Sequence, residues 1–396
     1  MSSRLWFALS CCAALIFTCT LAAQAPAPRV FQLNPASLAR VKAHPDPPLK
    51  ALAIKEAEKA MKTPPLSVMD KKPMPPSGDK HDYISMARYY WPNPATPDHM
   101  PYVRRDGYDN PEIKTISDHD NLAHMTKASR ALALGYYLTG DERYAERAVL
   151  LLRAWFLAPA TAMHPNLNFA QYKAGLNTGE AFGILDARSL PLAIDAVGLL
   201  AGSKSWTAVD DAGIRRWFAD YYTWLTTSAA GKHESAAHNN HGSWFQEQAA
   251  PIAVYLDRTE DARRMAERVR EQRIPNQIDA QGMQKYEMAR TKSFSYSAFN
   301  LEALTLFAAT VAPLGVDLYK PVTPGAPGIL TAIDALMPYD SKHPWPHEQV
   351  VAGLESSLCP ALVFAGAHTH DAKYIDAQKR FRCKPTAATM IESLGN

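Results

Sequence analysis

The stretch DNLAHMTKASRALALGYYLTGDERYAERAVLLLRAW, Asp120 to Trp155, reads as a pair of helices joined by a tight turn. Leu122, Met125, Leu132 and Tyr136 recur at helical spacing as far as Gly140. Asp141 then supplies the cap of a second helix that carries Tyr144, Ala148, Leu151 and Trp155 on one face. The same grammar continues outward. Ile214, Trp217, Phe218, Tyr221 and Leu225 form a strong amphipathic stripe, and Ala262, Met265 and Val269 a weaker one. Leu301 to Leu314, Ile329 to Met337 and Val350 to Ala365 are apolar segments of helical length. No stretch alternates as a sheet requires, so the chain is expected to be all-α.

Helical hairpins in series build either an open solenoid or a toroid. No fixed period recurs along the chain, which disfavours the solenoid. The loops between hairpins carry clustered polar and aromatic residues, as expected of an incomplete α/α toroid whose inner helices line a cleft. With 396 residues, 47% of them hydrophobic and 20% charged, the chain can bury one extensive core. The formal charge of +3 is too small for a nucleic-acid or membrane surface, so an acidic ligand must be met by a local site.

Three segments are expected: a signal peptide over residues 1–23, a proline-rich arm over 24–80 and a toroidal domain over 81–396. Arg4, the apolar run Leu5 to Leu21 and the small residues that follow it make the signal peptide, and imply a periplasmic or secreted protein with no membrane anchor after cleavage. Half of the thirty prolines lie between Pro26 and Pro101, so the arm is expected to be mainly extended, with a helix around Leu49 to Met61. Beyond the leader only Cys359 and Cys383 remain, either as one disulfide or as two buried thiols.

Chemistry concentrates in two motifs, His238-Asn239-Asn240-His241-Gly242-Ser243-Trp244 and Arg290-Thr291-Lys292-Ser293-Phe294-Ser295-Tyr296. They supply amides, an imidazole, a guanidinium and a phenol. A uronate sugar is cleaved by elimination when the carboxylate is neutralised, the adjacent carbon loses its proton and the glycosidic oxygen receives one. Amides and guanidinium serve the first need, imidazole and phenol the other two. Each residue also has a plain structural reading. An Asn-His pair can cap a helix, Tyr296 can be a core tyrosine, and Arg290 can pair with Glu287 on a helix surface. The loop His164-Pro165-Asn166-Leu167-Asn168-Phe169-Ala170-Gln171 offers amides to sugar hydroxyls or ordinary turn chemistry. Tyr83, Arg88, Tyr89, Tyr90 and Trp91 lie in an aromatic run suited to sugar rings.

Asn239 to His241, Pro165 to Gln171 and the Arg-Thr-x-Ser-Phe-x-Tyr run from Arg290 to Tyr296 together resemble the alginate lyase superfamily, including its glucuronan-cleaving relatives. The spacing of six from Arg290 to Tyr296, where bacterial alginate lyases have seven, matches a divergent branch acting on both polymers. The resemblance implies a toroid, export and β-elimination without a cofactor or metal. It implies that Asn240 neutralises the carboxylate, that His241 is base or shares in neutralisation, that Arg290 orients the charge, and that Tyr296 is acid or both acid and base. Asn239, Asn166, Gln171, Tyr83, Arg88 and Trp244 are the expected substrate contacts.

Two other classes compete. His233, His238, His241, His368, His370 and Asp371 could supply a metal-dependent hydrolase, although their spacing lacks a His-x-x-x-His pair, and Asp118, Asp120, Glu180 or Asp186 a carboxylate-dependent one. A non-catalytic carbohydrate-binding protein would use the aromatics alone.

Overall fold

The computed structural model describes residues 27–351 and 356–394. The expected leader over residues 1–23 lies outside them. Two helices open the described chain, α1 (Pro35–Ala43) and α2 (Pro47–Ala60). Proline at the start of a helix costs nothing there, because the first turn has no partner for its N–H. Asn34 and Asp46 complete each start by accepting from Ser37 N and Leu49 N. The density of prolines in the arm therefore marks helix starts as well as extended chain, and α1 replaces an extended stretch expected from sequence.

The hairpin from Asp120 to Trp155 is present as α3 (Asp118–Thr139) and α4 (Glu142–Leu152). Gly140 ends α3 in the left-handed region (φ 73°) and Asp141 caps α4 through Arg143 N. There follow α5 (Leu190–Leu199), α6 (Ala208–Thr227), α7 (Ala229–Ala236), α8 (Asn240–Tyr255) and α9 (Thr259–Arg268). Beyond two single-turn helices, α10 (Ile274–Gln277) and α11 (Lys285–Met288), come α12 (Ser293–Val311), α13 (Ile329–Leu336), α14 (Cys359–Thr369), α15 (Ala372–Arg380) and α16 (Ala387–Ser393).

The packing runs α3 on α5, α5 on α8, α8 on α12 and α12 on α14. Helices α4 and α9 pack outside this series, against α3 and α8. This is the expected all-α toroid. The interval between α14 and α3 is bridged by α16, which packs on both α14 and α2, and by α2 on α3. Helix α12 is apolar nearly all round because α8, α11, α13 and α14 surround it, and its length and composition alone would also suit a membrane span.

The arm is bound into this core. Leu33, Leu38, Leu49, Ala53 and Ala57 are buried with the toroid helices. Phe31 N and Gln32 N donate to the buried Asp195 carboxylate of α5, and the Arg29 carbonyl lies so close to Gly198 that a Cβ there would sit 1.9 Å from it.

Only four short strands occur among the described residues. Strand β1 (Ile84–Met86) runs parallel to β4 (Phe169–Tyr172), and β2 (Tyr90–Trp91) pairs antiparallel with β3 (Val103–Arg104). Both pairs lie at the cleft described below.

Cys359 and Cys383 form a disulfide that ties α14 to the turn after α15, closing a loop of sequence separation 24. Removing it should destabilise the fold by about 3 kcal/mol, the entropy released to an unfolded chain by a loop of that size. Cys383→Ser should therefore lower the urea midpoint of the oxidised protein and make it insensitive to reductant. An unchanged midpoint would mean that the C-terminal helices are held by packing alone.

Candidate active site

Helix α8 begins at the first motif. Asn239 caps it by accepting from His241 N at 3.2 Å. The next residue, Asn240, is fully buried, and its N–H and Nδ2 both donate to the buried carboxylate of Glu287, at 2.6 and 2.7 Å. Burial pushes the Glu287 carboxyl upward, and these two donors, with Arg290 and His241, oppose the shift. Asn240 is thus not a cleft residue as the sequence implied. Its amide donors are committed to Glu287, and Asn239 takes the place at the cleft wall.

His241, the second residue of α8, reaches the cleft with its side chain 19% exposed. Its Nδ1 lies 2.7 Å from Oε1 of Glu234 on α7, a carboxylate 3% exposed. A carboxylate can only accept, so Nδ1 carries a proton, and in the neutral imidazole Nε2 keeps its lone pair. Phe182 meets the imidazole edge-on, with ring centroids 6.1 Å apart. Glu234 and Phe182 thus fix the orientation of the ring.

The second motif supplies the opposite wall. Arg290 is held by Asp106, with Nη2 2.7 Å from Oδ1 and Nε 3.2 Å from Oδ2, and the same Nη2 donates to the Tyr296 hydroxyl at 2.8 Å. Arg104 and Thr291 also donate to Asp106. Burial acts to raise the Asp106 carboxyl, but the hydrogen bonds and charge of Arg290, with those of Arg104 and Thr291, hold it well below the usual carboxylate range. The alternative reading, a surface pair of Arg290 with Glu287, does not hold, because Arg290 pairs with Asp106 and Glu287 with Asn240.

The Tyr296 hydroxyl also lies 2.6 Å from that of Tyr89. Burial and the neighbouring Tyr89 push the Tyr296 phenol far above the ordinary tyrosine range, and Arg290 only partly offsets them. A guanidinium beside a phenol favours the phenolate when that guanidinium is otherwise unpaired. In this cleft Tyr296 is instead a neutral phenol, because desolvation outweighs one guanidinium already neutralised by Asp106.

These groups face a cleft of about 660 Å³. Asn239, His241, Arg290, Tyr296, Gln171 and Arg88 all line it. Gln171 adopts a positive φ of 49° and donates Nε2 to Asp186 at 2.7 Å, which leaves its carbonyl oxygen as an acceptor. Three expected contacts lie elsewhere. Tyr83 is fully buried and donates to Asp186 at 3.1 Å, so it supports the cleft floor from within the core. Trp244 lies one turn beyond His241 on a helix that is buried almost throughout. It is 3% exposed and packs behind Phe299, with ring centroids 4.7 Å apart. Asn166 accepts from Asn168 N at 3.1 Å, the turn role, away from the cleft lining.

The structure adds Glu234, Asp106 and Tyr89, none of which sequence reasoning placed at the site, although Tyr89 stood in the aromatic run. The residues of the metal reading are dispersed: His241 meets Glu234, His238 stacks on Tyr286, and His368 stacks on Tyr319. Among the described residues, no group of three His, Cys, Asp or Glu side chains converges on a common point.

A family model described as alginate lyase matches residues 67–345. The chain belongs to the alginate lyase family. Its fold agrees with that of an alginate lyase from Bacteroides ovatus, which is 36% identical, covers 93% of this chain and 100% of its own, and superposes with a TM-score of 0.86. Alginate lyase A1-III, solved as a variant complexed with a tetrasaccharide, is 17% identical and shares the fold at a TM-score of 0.59, covering 93% of this chain and 95% of its own. No curated protein matches. As a member of the alginate lyase family this chain is a polysaccharide lyase, and its 238–244 and 290–296 segments meet at the cleft between α8 and α12.

The carboxylates behind the site give a direct test. Asp106→Asn and Glu234→Gln keep shape but weaken the hold on Arg290 and His241, and misplacement of such groups costs on the order of 100-fold in rate. Both variants should show that loss in kcat with an unchanged melting temperature. Activity within twofold of wild type would mean that the two carboxylates do not position the site.

Proposed function

We propose that this lyase cleaves alginate, with glucuronan as a second substrate, by β-elimination that needs no metal. The observation that carries the proposal is the pairing of a base-ready imidazole, His241 with its Nε2 free, and a neutral phenol, Tyr296, across one cleft. Arg290 and the Nδ2 amide of Asn239 stand beside them to offset the uronate carboxylate. That lowers the cost of the carbanion-like charge that develops when the adjacent carbon loses its proton.

Substrate stereochemistry then divides the work. In guluronate the proton and the leaving oxygen lie on opposite faces of the ring, so His241 takes the first and Tyr296 protonates the second. In mannuronate and glucuronate both lie on one face, which requires a Tyr296 phenolate to take the proton from carbon and return it to the leaving oxygen. The raised Tyr296 phenol favours the first division of labour. An acid is useful while protonated, and Tyr296 stays protonated above the ordinary tyrosine range of about 10.

The chain is also proposed to be exported, to the periplasm or beyond. The apolar leader and the Cys359–Cys383 disulfide support this reading, since disulfides persist in oxidising compartments.

Ultraviolet absorbance on polyguluronate, polymannuronate and glucuronan tests the chemistry, because elimination leaves a double bond conjugated to the carboxylate. Tyr296→Phe should abolish the signal on all three. His241→Ala should cost at least about 100-fold on polyguluronate and less on polymannuronate. New reducing ends without absorbance would show hydrolysis. The pH profile separates the roles of Tyr296. On polyguluronate, kcat/KM should not climb between about pH 8 and pH 10, whereas a tenfold rise per unit would mark Tyr296 as a base awaiting deprotonation.

A further inference from the structure

Six cationic side chains line the cleft, and four of them already face a carboxylate. Arg290 and Arg104 share Asp106, Lys173 meets Glu180 at 2.5 Å, and Arg88 lies 3.9 Å from Asp109. Arg188 and Lys292 differ. Among the described residues, no carboxylate oxygen lies within the 4.0 Å of an ion pair to either. Arg188 feels Glu247 and Glu302 only at longer range, donates once to the Leu185 carbonyl at 3.3 Å, and holds its guanidinium 5.8 Å from the Phe299 ring. Lys292 holds its ammonium 5.4 Å from the Tyr89 ring. A cation already paired must break that pair to bind an anion, whereas these two need not.

Lys292, the residue before α12, stands four before Tyr296 and seven before Phe299, so the three follow one side of the helix, and all three line the cleft. Arg188 meets this row at Phe299. At a rise of ~1.5 Å per residue, Lys292 lies about 6 Å before Tyr296 and Phe299 about 4.5 Å after it. Each offset is comparable to the advance of one pyranose unit. A sugar reacting at Tyr296 therefore has a neighbour level with Lys292 on one side and a neighbour level with the Arg188–Phe299 pair on the other.

We propose that Lys292 and Arg188 bind the carboxylates of the two uronates flanking the one that reacts, so that the cleft selects three uronates in a row. The inference rests on the reading of the site as one for polyuronate. It makes Lys292 and Arg188 specificity-determining residues with no part in proton transfer. A polymer in which every second sugar is neutral presents no carboxylate to either cation when its uronate is at Tyr296.

Binding tests this apart from chemistry. The Tyr296→Phe protein, which cannot turn over, is titrated calorimetrically with a saturated mannuronate tetramer. Adding Arg188→Gln or Lys292→Gln should weaken Kd roughly tenfold each, and should reduce the dependence of Kd on salt. Lys292→Arg should restore most of the loss, and melting temperatures should not move. The tetramer with its carboxyls reduced to alcohols should bind weakly and equally to all variants. Unchanged Kd and salt dependence in both Gln variants would overturn the proposal. Because this readout involves no cleavage, it stands or falls separately from absorbance on the wild type, whose absence would instead defeat the lyase reading.

Discussion

A carboxylate taken out of water costs several kcal/mol unless donors replace its hydration, and this constraint organises the cleft. Asp106 is satisfied by Arg290, Arg104 and Thr291. Glu287 is satisfied by the N–H and amide of Asn240, Glu234 faces His241, and Asp186 gathers Tyr83, Ser85 and Gln171. Each carboxylate meets its need with a group that the site also requires in one place. The imidazole tautomer, the start of α8, the guanidinium orientation and the cleft floor are consequences of the same demand.

The toroid supplies the distance over which these partners are brought together. Asp106 lies on the loop after β3, 184 residues before Arg290, and Tyr89 lies 207 residues before Tyr296. The loop reaches α12 because the β2–β3 hairpin leans over the cleft edge, where Arg105 packs over Trp91 and Arg290 packs over the Tyr296 ring. The arm and α16 bridge the toroid behind that edge, with Asp195 holding the arm to α5 and Glu56 of α2 accepting from Ala387 N at the start of α16.

The helices were legible because their signals are local. Periodicity, the Gly140 stop and the Asp141 cap lie within the hairpin they define, and the motifs that hold Asn239, His241, Arg290 and Tyr296 are likewise short contiguous runs. The arm was read less well, since proline reads as extended chain until the Asn34 and Asp46 caps show that Pro35 and Pro47 start helices. What stayed hidden was pairing. Nothing near Asp106 or Glu234 announces a partner, and Glu287 stands three residues before Arg290 yet turns to Asn240. Burial is hidden in the same way: Tyr83 and Trp244 belong to types that suit sugars but are buried, while Tyr89 and Phe299 are aromatics that line the cleft. The state of the Tyr296 phenol is hidden too, because a guanidinium in the sequence carries no mark that Asp106 has already claimed it.

The central claim is that the bond breaks by elimination, with Tyr296 giving the proton and no water entering the product. Cleavage of polyguluronate in heavy-oxygen water, followed by mass spectrometry of the new ends, tests it most directly. The account predicts unsaturated ends that contain no solvent oxygen. Saturated ends carrying one heavy oxygen per cleavage would show that water attacks the bond, and would contradict the assignment of His241 and Tyr296 to proton transfer alone.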